Sequence, residues 1–140
     1  MPETLVVDCS VAAAWMFAGK LRAQARLLIE QVNSGELALI APDLILAEFA
    51  SLVTKRVRRK QLSAPEARDL FQHMRHSALF LFESRLLLPA ALDLALQHHL
   101  SLWDCVYLAL AAEKNCPLIT ADRRLLRGYT PRHPAIRLLS

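Results

Sequence analysis

Short β-prone runs alternate with segments of helical periodicity along the whole chain. Apolar residues between the runs recur with the period of an α-helix, whereas each run is too short for a helix and is rich in strand-forming residues. This alternation predicts a central parallel β-sheet flanked by helices on both faces, and therefore an α/β domain. We expect about five strands, which are Leu5–Val7, Leu37–Ile40, Leu79–Phe82, Pro117–Thr120 and Ala135–Leu139.

Capping signals mark where several helices begin. Ser10 precedes an apolar segment and is predicted to cap the first helix. Ser63 and Glu66 form the S-x-x-E pattern of a capping box, so another helix should open there. Further along the chain, the periodicity predicts helices over Ala90–His99 and Ser101–Lys114.

The size and hydropathy of the chain limit its organisation. Its 140 residues fit a single domain, 1–140, and leave no room for a second core. Hydrophobic residues make up 54% of the chain and the mean hydropathy is +0.27, so we expect apolar surface to be covered in an oligomer. Pro42, Asp43 and Glu48 interrupt the most apolar stretch, Leu37–Val53, which argues against a membrane span.

Charge and cysteine content indicate the environment and the kind of partner. The formal net charge of +4 and the pI near 9.3 favour a polyanionic partner. An acid stands near the N-terminus where a secretory signal carries positive charge, so a cytoplasmic location is expected. Cys9, Cys105 and Cys116 lack C-x-x-C spacing, which favours packing over a disulfide framework or a zinc site.

Four acidic residues fall at corresponding places in the predicted elements. Asp8 ends the first strand, and Asp122 lies two residues beyond the fourth. Glu48 is in the second turn of the helix after the second strand, and Asp104 is in the first turn of its helix. In a parallel α/β fold, the carboxyl ends of strands and the beginnings of the following helices share one edge, where ligands usually bind. All four carboxylates are therefore predicted to face that edge.

Each acid also has a structural explanation. Asp104 could complete a capping box with Ser101, and Asp122 could cap the short helix that follows it. Glu48 could begin a solvated helix face. Asp8 is the hardest to explain in this way. It lies between apolar segments, and burying an unpaired charge there would reduce the stability of the fold by roughly several kcal/mol.

Together, four neighbouring carboxylates would repel one another unless a cation or protonation relieved their charge. Oxygen ligands without cysteine or histidine favour Mg²⁺ or Mn²⁺ over zinc. Ions held in this way can promote phosphodiester hydrolysis by activating water and stabilising the charge on the departing oxygen. The residues alone therefore suggest a metal-dependent hydrolase acting on a phosphodiester.

Four segments, in this order, resemble the PIN-domain nucleases, and within them the VapC-type toxins of bacterial toxin–antitoxin pairs. The segments are Val6–Val11, Pro42–Phe49, Leu102–Ala109 and Leu118–Leu125, and the resemblance extends over nearly the whole chain. The resemblance implies a divalent-metal-dependent endoribonuclease, a homodimer and a cognate VapB-type antitoxin. It also implies metal binding and catalysis by four acids, with two hydroxyls supporting them; these residues are Asp8, Glu48, Asp104 and Asp122, with Ser10 and Thr120.

The sequence departs from the family pattern at three positions. Cys9 and Cys105 stand where alanine is usual, and both look like exchanges of one small residue for another. Ser51 stands where asparagine is common. If that position orients Glu48 in the family, metal affinity or rate could differ in this protein.

Basic residues near the acids are candidates for RNA contact. Lys55 and Arg58 continue the helix stripe that starts at Glu48, although a helix C-terminus favours cations in any case. Arg123 and Arg124 directly follow Asp122 and are well placed to hold a phosphate.

Two other kinds of protein remain alternatives. One is a PIN-like module that binds RNA or protein without cleaving it. The other is a phosphoacceptor domain of the receiver type, which also holds Mg²⁺ on a parallel sheet. The receiver type is disfavoured because no aspartate ends a strand near Leu79–Glu83.

Overall fold

A computed structural model describes residues 1–140 as five strands and seven helices. The strands are β1 Glu3–Val7, β2 Leu37–Pro42, β3 Phe80–Phe82, β4 Leu118–Thr120 and β5 Ile136–Leu138. The helices are α1 Cys9–Met16, α2 Arg22–Asn33, α3 Leu44–Arg58, α4 Ala64–Arg75, α5 Ser84–His98, α6 Leu102–Lys114 and α7 Arg123–Gly128. The predicted α/β class is confirmed, with all five predicted strands present.

The five strands form one parallel sheet in the order β3-β2-β1-β4-β5. The chain first builds outward from β1 through β2 to β3, then crosses back to add β4 on the other side of β1. The strand order therefore reverses between β1 and β4, and in such sheets the crevice at this point, outside the carboxyl ends of the strands, is the usual ligand site.

Helix packing divides into two groups. Helices α1 to α4 form one series of contacts, α1 with α2 and α3, and α3 with α4, whereas α5 packs on α6. Helix α6 lies against β1, β2 and β4, and every residue from Cys105 to Ala111 is buried. A helix that is buried on all sides is held in a fixed position by the core, so residues on α6 are precisely located relative to the sheet.

Two local predictions need correction. Ser10 was expected to cap α1, but the cap is Asp8, whose side chain accepts hydrogen bonds from the backbone amides of Ser10 and Val11. Helix α5 was expected to begin at Ala90, but it begins at Ser84 and contains Pro89. Pro89 lies in the second turn, where a proline removes one intrahelical hydrogen bond, and this is why the local sequence favours a helix that begins only after it.

None of the seven helices is both long enough and apolar enough to cross a membrane.

Candidate active site at the carboxyl edge of the sheet

Asp8 is the central acid of the site. It follows β1 directly and is 7% exposed; among the buried residues of the chain, Asp8 and Thr120 are the polar ones. Its Oδ1 accepts hydrogen bonds from the amides of Ser10 and Val11 and from the Ser10 hydroxyl. Its Oδ2 accepts one from the Thr120 hydroxyl. These four donors fix the Asp8 carboxylate in a single orientation.

The two hydroxyls also tie Asp8 to the neighbouring strand. Ser10 Oγ accepts from the amide of Ala121 at 2.8 Å, and Thr120 Oγ1 accepts from the amide of Asp122 at 3.0 Å. The end of β1 and the end of β4 are therefore joined through side chains at the point where the strand order reverses. Ser10 and Thr120, expected to lie beside the acids, both contact Asp8.

Glu48 reaches the same edge from α3. It is partly buried, and its Oε1 accepts a hydrogen bond from the hydroxyl of Tyr107 on α6. Residues from two helices on opposite sides of the site thus meet at this carboxylate.

Asp104 lies in the first turn of α6, which Ser101 caps by accepting a hydrogen bond from the Asp104 amide at 3.1 Å. This is half of the predicted capping box, since no bond returns from the Asp104 side chain to the Ser101 amide. The cap explains why this helix begins here. It leaves the Asp104 carboxylate available to the edge of the sheet.

Asp122 differs from the other three acids because it pairs with a basic side chain. Its Oδ1 caps α7 by accepting from the amide of Arg124 at 2.9 Å, and it pairs with the Arg124 side chain at 3.5 Å. Capping of α7, the structural role expected for Asp122, therefore accounts for its contacts. The negative charge of Asp122 nevertheless raises the pKa of Asp104, so Asp122 lies close enough to belong to the acidic group.

The electrostatics of the other three acids are unfavourable in the absence of a cation. Burial raises the pKa of Asp8, Glu48 and Asp104, and the negative charges of neighbouring acids raise each of them further. Hydrogen bonds to each carboxylate offset part of this effect. None of the three forms an ion pair with a basic side chain.

These residues suit a divalent cation in charge and in chemistry. Their donors are carboxylate and hydroxyl oxygens, which Mg²⁺ and Mn²⁺ prefer. The nearby Arg124 guanidinium partly offsets the raised pKa of Asp104 without forming an ion pair with it. No three acidic, histidine or cysteine side chains converge into a closed ligand cluster. Mg²⁺ commonly binds through only one or two carboxylates and keeps several waters, so closure by three side chains is not required.

A cleft of about 340 Å³ extends from the acids between α1 and α3. Its lining includes Ser10 on α1, and Glu48 and Lys55 on α3. Of the other basic candidates, Arg124 contacts Asp122, whereas Arg58 and Arg123 are exposed and form no ion pair. Arg124 is thus the candidate that contacts an acid, and Lys55 is the candidate that lines the same cleft as Glu48.

The neighbouring cysteines are poorly suited to act as nucleophiles. Burial, with the charges of Glu48 and Asp8, raises the pKa of Cys9 to about 12, and burial with Asp104 raises that of Cys105 to about 11. Thiols with such pKa values stay protonated near neutral pH, and the thiolate is the reactive form.

Tyr107 is the contact that the sequence did not reveal. Its neighbours along α6 are apolar and its ring is buried in the core, but its hydroxyl donates a hydrogen bond to Glu48. The spacing could have indicated this position, because Tyr107 lies three residues after Asp104 and residues three apart share a helix face.

The fold and these acids define an α/β protein with an acidic centre where strand order reverses. Residues 5–129 match the model of the PIN domain family. Ribonuclease VapC3 of Pyrobaculum aerophilum is 32% identical over 127 residues, which cover 89% of this chain and 94% of that protein. The chain belongs to the PIN-domain family and falls in its VapC group.

Solved structures share the fold. PAE2754 from Pyrobaculum aerophilum superposes with a TM-score of 0.73 at 21% identity, covering 99% of this chain and 92% of that one. VapBC2 from Rickettsia felis, bound to a DNA fragment from its promoter, gives a TM-score of 0.68 at 12% identity, covering 98% and 99%.

Proposed function

We propose that this protein is a divalent-cation-dependent endoribonuclease that hydrolyses phosphodiester bonds of RNA. The observation that carries the proposal is the meeting of Asp8, Glu48 and Asp104 at one edge, with raised pKa values and no basic partner. The name of the relative VapC3 supports RNA as the substrate.

Asp8, Glu48 and Asp104 would hold Mg²⁺ or Mn²⁺, with Asp122 as a fourth acid. The cation would supply Lewis-acid stabilisation of negative charge at the reacting phosphate. Asp8 contributes a rigid carboxylate, because four hydrogen bonds orient it. Burial makes Glu48 and Asp104 stronger bases than an exposed carboxylate, so either is suited to accept the proton of the attacking water.

Basic residues beside the acids would bind the RNA backbone. Lys55 lines the cleft that leads away from Glu48, and Arg124 stands beside Asp122. They would contact phosphates on two sides of the bond that is cut, which positions the strand without reading its bases. Arg58 and Arg123 are exposed, form no ion pair and would add long-range attraction.

The VapC group also suggests how activity is controlled. We infer a toxin of a toxin–antitoxin pair that acts in the cytoplasm and is held inactive by a VapB-type antitoxin. The fold shared with VapBC2 supports this partner. A homodimer is the expected assembly, and three exposed leucines at four-residue spacing on α5 offer an apolar face for it: Leu88, Leu92 and Leu96.

Cleavage of total RNA by the purified protein, freed of any antitoxin, tests the proposal. Wild-type protein with Mg²⁺ or Mn²⁺ should produce discrete fragments, and EDTA should abolish them. Asp104→Asn protein prepared identically exposes contaminating ribonuclease, because it should lack activity. Cleavage that continues in EDTA would refute the metal-dependent mechanism, and RNA bound but uncut in Mn²⁺ would favour a binding module.

A further inference from the structure

Tyr107 connects two of the helices that form the site. Its ring is 2% exposed on α6, one turn after Asp104, and its hydroxyl donates to Glu48 Oε1 at 2.5 Å. The two residues are 59 positions apart in sequence, so the bond joins α6 to α3 directly. Because α6 is enclosed by the core, the tyrosine hydroxyl is a fixed donor.

No other side chain holds the Glu48 carboxylate in place. It forms no ion pair, and Tyr107 is the side chain that donates a hydrogen bond to it. Ser51, one turn later on the same face of α3, makes no hydrogen bond to Glu48 and lines the cleft instead. A glutamate has three side-chain torsions, and this one borders an open cleft into which its carboxylate could turn.

We propose that Tyr107 is a positioning residue that holds Glu48 toward Asp8 and Asp104 and thereby sets the affinity of the site for a divalent cation. This inference rests on the proposed function, in which those acids bind the cation. Hydrogen-bond partners of metal-binding carboxylates typically contribute about 10- to 100-fold to affinity. Tyr107 neither contacts the RNA nor transfers a proton in this role.

The test measures Mn²⁺ binding by titration calorimetry in four proteins: wild type, Tyr107→Phe, Glu48→Gln and the double variant. Tyr107→Phe should weaken Mn²⁺ binding by about 10-fold. In the Glu48→Gln background the same change should have little further effect, because the group that Tyr107 positions is already altered. Cleavage by Tyr107→Phe should recover at high Mn²⁺ concentration.

Tyr129→Phe is the matched control. Tyr129 is also buried, at 6% exposure, and its hydroxyl donates to the carbonyl oxygen of His133 at 2.5 Å and to none of the acids. Its replacement removes a comparable hydrogen bond and should leave Mn²⁺ affinity unchanged, even if the melting temperature falls.

The chain has two tyrosines, so Tyr129→Phe protein made with fluorotyrosine carries a single fluorine label, at Tyr107. Mg²⁺ should shift the fluorine NMR resonance of that label when Glu48 is present and leave it unchanged in Glu48→Gln. This second measurement keeps the proposal testable if Tyr107→Phe does not fold.

Three results would overturn the inference. The first is wild-type Mn²⁺ affinity in folded Tyr107→Phe while Glu48→Gln binds weakly, which would leave the proposed function intact. The second is an equal loss of affinity on adding Tyr107→Phe to wild type and to Glu48→Gln, which would show a general structural role. The third is a wild-type protein that binds no Mn²⁺, which would refute the proposed function as well.

Discussion

At the scale of single residues, the acids of the site differ in how much of the fold depends on them. Asp8 caps α1 and accepts a hydrogen bond from Thr120 at the end of β4, so it supports the fold as well as the proposed site. Asp104 has no cap role, because Ser101 caps its helix. Replacement of Asp104 is therefore the cleaner test of the charge in the site.

Asp104→Asn should abolish cleavage and raise the melting temperature by a few degrees at neutral pH in EDTA. The pKa of Asp104 is raised in the folded protein, mainly by burial, so the folded state favours its protonated form. The associated stabilisation is present below the ordinary aspartate pKa and is lost as pH rises through the raised value. The advantage of the variant should therefore shrink on acidification in thermal unfolding. A variant less stable than wild type at neutral pH would contradict this account.

Asp122 needs a pair of variants, because its carboxylate both caps α7 and borders the acids. Asp122→Ser keeps a capping oxygen and Asp122→Ala does not, so the alanine variant should be less stable by about 1 kcal/mol. If the carboxylate takes part in metal binding, both variants should lose activity to the same extent. Thermal unfolding and cleavage assays on the two variants separate these roles, and full activity in Asp122→Ser would remove Asp122 from the proposed site.

At the scale of elements, helix α6 does most to fix the positions of the side chains in the site. It holds Asp104 in its first turn and Tyr107 in its second, and the core encloses it from Cys105 to Ala111. The position of its N-terminus therefore sets the place of one acid and the orientation of another.

Loss of the α6 cap should affect function more than loss of an equivalent cap elsewhere. Ser101→Ala and Ser63→Ala each remove a capping serine, and each should cost about 1 kcal/mol in stability. Only Ser101→Ala should also weaken Mn²⁺ binding, because the first turn of α6 carries Asp104, whereas α4 carries none of the acids. Denaturant unfolding and Mn²⁺ titration of both variants check this. Equal metal affinities would indicate that α6 is held by its packing alone.

The sequence predicted the elements better than their ends. Alternation of strands and helices was sufficient to predict the five strands, because buried parallel strands carry short unbroken apolar runs. The beginning of α1 was missed because Ser10 and Asp8 are both good capping residues, and Asp8 was considered only as a site acid. The hydrogen bond from Tyr107 to Glu48 was missed because it depends on how α3 and α6 are placed, which periodicity does not determine.

At the scale of the whole molecule, the strand order determines which acids meet. Sequence reasoning predicted a common edge, but not that β1 would lie between β2 and β4. That order places Asp8 beside Thr120 and joins their strand ends through side-chain hydrogen bonds. Pairing of distant strands depends on long-range packing, so a local pattern could not have predicted it.

The exposed apolar face of α5 is the surface through which we expect the protein to dimerise. Leu92→Glu should convert a dimer into a monomer, because it places a charge in the middle of the apolar face. Leu27→Glu on α2 is the control, since Leu27 and Leu92 are equally exposed, at 51% each. Light scattering should find a dimer for wild type and Leu27→Glu, and a monomer for Leu92→Glu. A dimer that survives Leu92→Glu would place the interface elsewhere.

The bond between Asp8 and Thr120 joins residues 112 positions apart, and it has a consequence for the timing of synthesis. A ribosome makes β1 long before β4, so the two strand ends can be joined only after β4 has emerged. Domains generally fold as units during translation. A chain that has not yet reached β4 would therefore contain Asp8 and Glu48 without the centre they help to form. Cleavage activity would arise only once β4 has been made, and a neutralising partner would need to be present by that moment.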